Sequence, residues 1–160
     1  MNRTVFSEKV NTYRNQLYIT ALTILKNEAD AQDAVCNAIL KAYEHLDRLK
    51  DEKKFKAWII AITRNEALQI KRKRIELPGD GQLESMLPSV SDNYNELWDV
   101  VQKLSDDYRI VIVLFYYNDL SLKDISKMLE IPVGTVKSRL NRGREQIKKE
   151  LMEILEEDIT

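Results

Sequence analysis

Apolar residues return along this chain with a helical rhythm from near its start to near its end. Phe6, Val10, Tyr13, Leu17, Ala21 and Ile24 are spaced four, three, four, four and three apart, which predicts one long amphipathic helix. A second helix starts after Asn27, where Glu28 and Asp30 complement the positive end of its dipole, and it carries Ala34, Val35, Ala38, Ala42 and Leu46 inward. Asp47 to Lys54 is polar and reads as a connection. A third helix follows from about Phe55, with Trp58, Ile59 and Ile62 on its core face and the run Lys71-Arg72-Lys73-Arg74 at its end. At their helical spacing Phe55 and Trp58 are read as core, while Tyr43 and the lone His45 fit either core or surface.

The rhythm breaks between residues 75 and 92, where Pro78, Gly79, Gly81 and Pro88 gather with serines and acids; that is the composition of a linker. It returns with Leu97, Val101, Leu104, Tyr108, Val111 and Phe115. Ile110 to Tyr117 is apolar throughout and has strand propensity, but the flanking periodicity favours a helix. Ser121 can cap a short helix with Leu122, Ile125, Met128 and Leu129 on one face, and Glu130-Ile131 form a turn. Pro132, its φ already set for a first helical turn, then opens another helix. Val133, Val136 and Leu140 fall on one side of that helix; Thr135, Lys137, Ser138, Arg139 and Arg142 fall largely on the others, and Arg144, Lys148 and Lys149 follow. A short capped helix, a tight turn and a cationic second helix make a helix-turn-helix whose outward arginines suit a DNA major groove, where arginine reads guanine through two hydrogen bonds.

Only four glycines and three prolines occur in 160 residues, which favours helices over a sheet joined by tight turns. The fold class is therefore all-α: two small helical domains, 1–74 and 93–160, joined by a flexible acidic linker at 75–92, the second domain a helix-turn-helix. The net charge of −1 conceals a segregation. Residues 1–74 hold 15 Lys and Arg against 9 Asp and Glu, residues 75–107 hold 1 against 8, and residues 108–149 hold 9 against 4. Two basic blocks point to a polyanion partner, and the acidic block between them tempers binding of the free chain to DNA. The single cysteine, Cys36, excludes an internal disulfide or a thiolate cluster, and its neighbours Ala34, Val35, Ala38 and Ile39 suggest a buried, inert thiol. With no apolar signal core and no run of membrane-spanning length, the protein is expected in the cytoplasm.

Asp107-Tyr108-Arg109-Ile110-Val111, Leu120-Ser121 and the stretch Val133-Gly134-Thr135-Val136-Lys137-Ser138-Arg139-Leu140-Asn141-Arg142-Gly143-Arg144 resemble the C-terminal domain of bacterial RNA polymerase sigma factors of the extracytoplasmic-function class. Asp30-Ala31-Gln32-Asp33-Ala34-Val35, Lys41-Ala42-Tyr43, and Phe55, Trp58, Ile62 and Asn65 resemble that family's other conserved domain, in family order. The resemblance implies that the first domain docks on core polymerase and opens the −10 element, and that the second reads the −35 element. Carried over, Thr135, Lys137, Ser138, Arg139, Arg142 and Arg144 meet −35 DNA. Arg48, Lys50, Lys53, Lys54, Arg64, Asn65, Lys71 and Arg72 hold the melted −10 strand. Asp30, Asp33, Asn37 and Lys41 meet the β′ clamp. Core polymerase, promoter DNA and an anti-sigma factor are the implied partners, with no cofactor, metal or small-molecule substrate. Departures from the family pattern are Cys36 and Asn37 for a frequent Gln and Glu, Ile39 near a frequent aromatic, Ser105 for Pro, and Glu130 for Gly.

Rival classes fit less of the chain. An enzyme would need a phosphate loop, a nucleophile with its base or a His cluster, and none is legible; Asp30 and Asp33, three apart, are read as facing solvent or a protein partner rather than a metal. A stand-alone helix-turn-helix regulator leaves the first domain without a role. A helical adaptor has no need of the outward arginines.

Overall fold

The computed structural model describes residues 1–76 and 95–159, so the linker expected at 75–92 lies almost wholly outside the described residues. Helices α1 (Arg3–Leu25), α2 (Glu28–Glu44) and α3 (Phe55–Glu76) form one compact unit. Helices α4 (Asn95–Lys103), α5 (Asp106–Ile112), α6 (Leu122–Leu129) and α7 (Val133–Ile159) form the other. No strand occurs among the described residues, and α3 runs two residues past the expected boundary at 74.

Local chemistry sets the corners of the first unit. The Asn2 side chain accepts the Val5 N–H at the start of α1, and Lys26 ends the helix with a left-handed φ of 54°. Asn27 then caps α2 by accepting the Asp30 N–H at 3.0 Å, so two residues turn the chain from one helix into the next. Along α2, Ala31, Ala34, Ala38 and Ala42 are all fully buried, a stripe of methyl groups on which α1 and α3 both pack. Phe55, at the first turn of α3, fills the core and meets Phe6 edge to face at 5.9 Å, with Trp58 half-buried beside it. Two short 3-10 turns, Leu46–Arg48 and Glu52–Lys54, make up the connection between α2 and α3. Lys9 fastens it by donating to the Glu52 carbonyl while its ammonium lies over the Phe55 ring.

In the second unit the expected repeat from Leu97 to Phe115 is carried by two helices, interrupted at Leu104-Ser105. Arg109 spans the break. Its guanidinium, only 3% exposed, donates to the carbonyls of Gln102 and Leu104 at 3.2 and 2.9 Å and pairs with Asp106, so the free carbonyls at the end of α4 are satisfied by a side chain from α5. The stretch with strand propensity is helical, and its end widens into a π turn over Val113–Tyr117, closed by the Asn118 N–H on the Val113 carbonyl.

One expectation fails. Cys36 is exposed, because it lies about 200° around the helix from Ala34 at 100° per residue, on the side away from the alanine stripe. Val133 shares one side of α7 with Val136 and Leu140 as expected, yet is 38% exposed in the helix's first turn.

Candidate nucleic-acid interface

Ser121 caps α6 by accepting the Asp124 N–H at 3.0 Å, and Ile125 anchors the helix to the core. Glu130 ends α6 in the left-handed region, φ 56°, and the Ser126 hydroxyl donates to the Ile131 carbonyl. The Pro132 carbonyl receives the N–H groups of both Thr135 and Val136, launching α7 at the angle that turn fixes. This is the expected helix-turn-helix, with Glu130 and Ile131 in its turn.

With Val136 and Leu140 buried, the opposite side of α7 carries Gly134, Ser138, Asn141, Arg142 and Glu145, all exposed and within roughly 60° of one line at 100° per residue. Ser138 and Arg142 are thus outward as expected. Asn141 belongs with them and went unnoticed in the sequence, although its place between Ser138 and Arg142 is legible by helical projection. Thr135 and Arg139 are half-buried at one edge; Arg139 lies 3.8 Å from the Asp107 carboxylate. Lys137 is exposed on the opposite flank. Arg142 Nη1 donates to the Tyr108 hydroxyl at 3.3 Å, a bond that raises the guanidinium's pKa above its ordinary value.

Arg144 is placed differently from the other cations. Its guanidinium lies over the rings of Phe115 and Tyr116, donates to the Tyr116 hydroxyl, and donates to Asn141 Oδ1 at 2.8 Å. It points back to the rim of an open apolar groove of about 900 Å³ among α4, the π turn and α7, where Leu97, Trp98, Val101, Tyr117 and Met152 also lie. Between the two arginines, Gly143 brings α7 so close to α5 that a Cβ there would stand 2.9 Å from Ile112 Cγ1.

In the first unit, Arg48, Lys50, Lys53 and Lys54 are all exposed on the connection. Arg64, Asn65, Lys71 and Arg72 occupy one sector of α3, about 120° wide, but a rise of 1.5 Å per residue puts Arg72 roughly 27 Å from Lys54 along the axis. The eight residues are thus a track along α3 and its leading turn, not a single pocket. On α2, Asp33 and Asn37 are exposed on the same side as Cys36 and Leu40. Asp30 departs from the expectation of an open docking face, whereas Lys41 is exposed. Asp30 is only 8% exposed and pairs with Arg74 Nε at 2.5 Å, and Lys41 pairs with the buried Glu66. Each ties α2 to α3, one at either end.

Comparisons with known proteins fit this geometry. Residues 10–75 match the family model "Sigma-70 region 2" and residues 94–147 match "Sigma-70, region 4". The ECF RNA polymerase sigma factor SigW of Bacillus subtilis is 32% identical, over 93% of this chain and 90% of that protein. The RNA polymerase sigma-E factor of Streptomyces coelicolor is 28% identical over 92% and 86%. Among solved structures, the sigma factor RpoE in complex with the anti-sigma factor NepR from Bartonella quintana superposes with a TM-score of 0.80 at 24% identity, covering 92% of this chain and 96% of that one. The stand-alone regulator finds no support among them. With both conserved regions present in order and a relative aligned along nearly its whole length, the chain belongs to the extracytoplasmic-function class of bacterial RNA polymerase sigma factors, and it confers promoter specificity on core polymerase in transcription initiation.

Proposed function

We propose that the −35 element is read by the outward face of α7, with Ser138 and Arg142 at its centre, Asn141 beside them, Thr135 and Arg139 at one edge and Lys137 on backbone phosphate. The observation that carries this is the exposed row of small and guanidinium side chains directly opposite the buried Val136 and Leu140, a width that a major groove admits. Arg144, engaged with Tyr116 and Asn141, serves the fold of this unit rather than base readout. The melted −10 strand follows the track from Arg48, Lys50, Lys53 and Lys54 along Arg64, Asn65, Lys71 and Arg72, a cationic path of the kind that single strands require. Asp33 and Asn37 meet the β′ clamp, while Asp30 and Lys41 hold the docking helix against α3. The protein's own part is binding in the cytoplasm, in a stress or envelope response; bond formation belongs to the core enzyme. An anti-sigma factor restrains it, and the open apolar groove beside Leu97, Tyr117 and Met152 supports such a partner.

In vitro transcription with core polymerase tests the assignment. Arg142→Ala lowers transcription by about 1–3 kcal/mol in a manner that depends on the −35 sequence, whereas Arg72→Ala responds to changes at −10. Asp33→Lys weakens polymerase binding without loss of helix content. Arg142→Ala and Arg72→Ala variants that both transcribe every promoter normally would remove the proposed DNA faces.

A further inference from the structure

The two arginines on either side of Gly143 are each gripped by a tyrosine, and the grips differ in what they leave free. Tyr116 holds Arg144 together with Asn141 and two ring faces, which absorbs that guanidinium. Tyr108 touches Arg142 through one nitrogen only, Nη1, at 3.3 Å. Of the five N–H donors on a guanidinium, the parallel pair on the Nε–Nη2 edge takes no part in that contact, and such a pair is the arrangement that guanine O6 and N7 accept together. The contact depends on close passage of the helices. Gly143 lies against Ile112, and a Cβ at this glycine would stand 3.8 Å from the Cβ of Tyr108, so the tyrosine is seated at the closest approach of α5 and α7.

We propose that Tyr108 is a positioning residue for promoter readout, holding Arg142 in its base-reading orientation before DNA arrives. A free arginine side chain gives up much rotamer freedom on binding; one already restrained gives up less, and the saving appears as discrimination at the base pair it reads. This rests on the proposed role of Arg142. The hydroxyl is the only group the proposal requires, since the ring packs in the same way without it.

The test is transcription by core polymerase on promoters bearing every single base-pair change in the −35 element, using wild type, Tyr108→Phe, Arg142→Ala and the double variant. Arg142→Ala flattens the preference at one base pair. Tyr108→Phe flattens it at the same base pair by roughly three- to tenfold, the scale of one hydrogen bond, leaves the other positions as in wild type, and adds nothing in the Arg142→Ala background. Thermal unfolding and core binding of Tyr108→Phe stay at wild-type values. A uniform loss across all promoters, an unchanged profile, or a full additional loss in the double variant would overturn the positioning role. If Arg142→Ala itself alters no base preference, the reading of Arg142 falls and this proposal falls with it; an Arg142→Ala effect without a Tyr108→Phe effect sinks the positioning alone.

Discussion

Glu130 is held at φ 56° and ψ 44°, a conformation in which an L side chain crowds the following carbonyl and a glycine does not. Glu130→Gly is therefore expected to stabilise the second unit by about 0.5–1 kcal/mol, the relieved strain exceeding the extra entropy of an unfolded glycine; a chemical denaturation midpoint no higher than wild type would contradict this. The Ser121 cap was legible because its partner lies three positions away. Asp30 was not, since Arg74, which covers it, is 44 positions away and no local pattern links them. Cys36 misled for another reason: apolar neighbours in sequence are not neighbours around a helix. Its exposure beside Asp33 and Asn37 makes it a reporter, and maleimide should label it readily in the free native protein and slowly once core polymerase is bound. Labelling at the same rate in both states would move the docking surface away from this side of α2.

Among elements, α2 depends most on what it omits. Its fully buried positions, Ala31, Ala34, Ala38 and Ala42, are all alanine, so α1 and α3 pack closely on methyl groups there. Ala38→Leu is expected to cost about 1–3 kcal/mol by overpacking, measured by chemical denaturation; a neutral result would show that the stripe has slack. Helix periodicity in the sequence located α1, α2, α3, α6 and α7, and the helix-turn-helix could be read from Ser121, Pro132 and the buried Val136 and Leu140. What it could not give was the break between α4 and α5. An apolar repeat persists through an interrupted helix when both pieces face one core, and the buried Arg109 that stabilises the break looks like any surface cation in the sequence. The π turn was equally hidden, because a change of one residue per turn leaves a wholly apolar run unchanged. Of the interface, the outward direction of Ser138 and Arg142 was legible; the tyrosine contacts of Arg142 and Arg144 were not, as each joins helices some 30 residues apart.

For the whole molecule, the decisive property is the order of charge: two basic blocks separated by residues 75–107, which carry one cation against eight anions. An acidic segment tethered to cationic faces competes with phosphate for them, so the free protein should hold DNA weakly. On the proposed reading, core polymerase changes the balance by fixing the two DNA-binding units at the separation of the −35 and −10 elements, after which the second contact is intramolecular and gains from a high effective concentration. The most direct measurement is a titration of promoter duplex with this protein at physiological salt, alone and with core enzyme, against a duplex of scrambled sequence. Weak binding with little preference is expected for the protein alone, and tight, promoter-specific binding once core polymerase is present. Tight, sequence-specific binding by the free protein, unchanged by core enzyme, would contradict this.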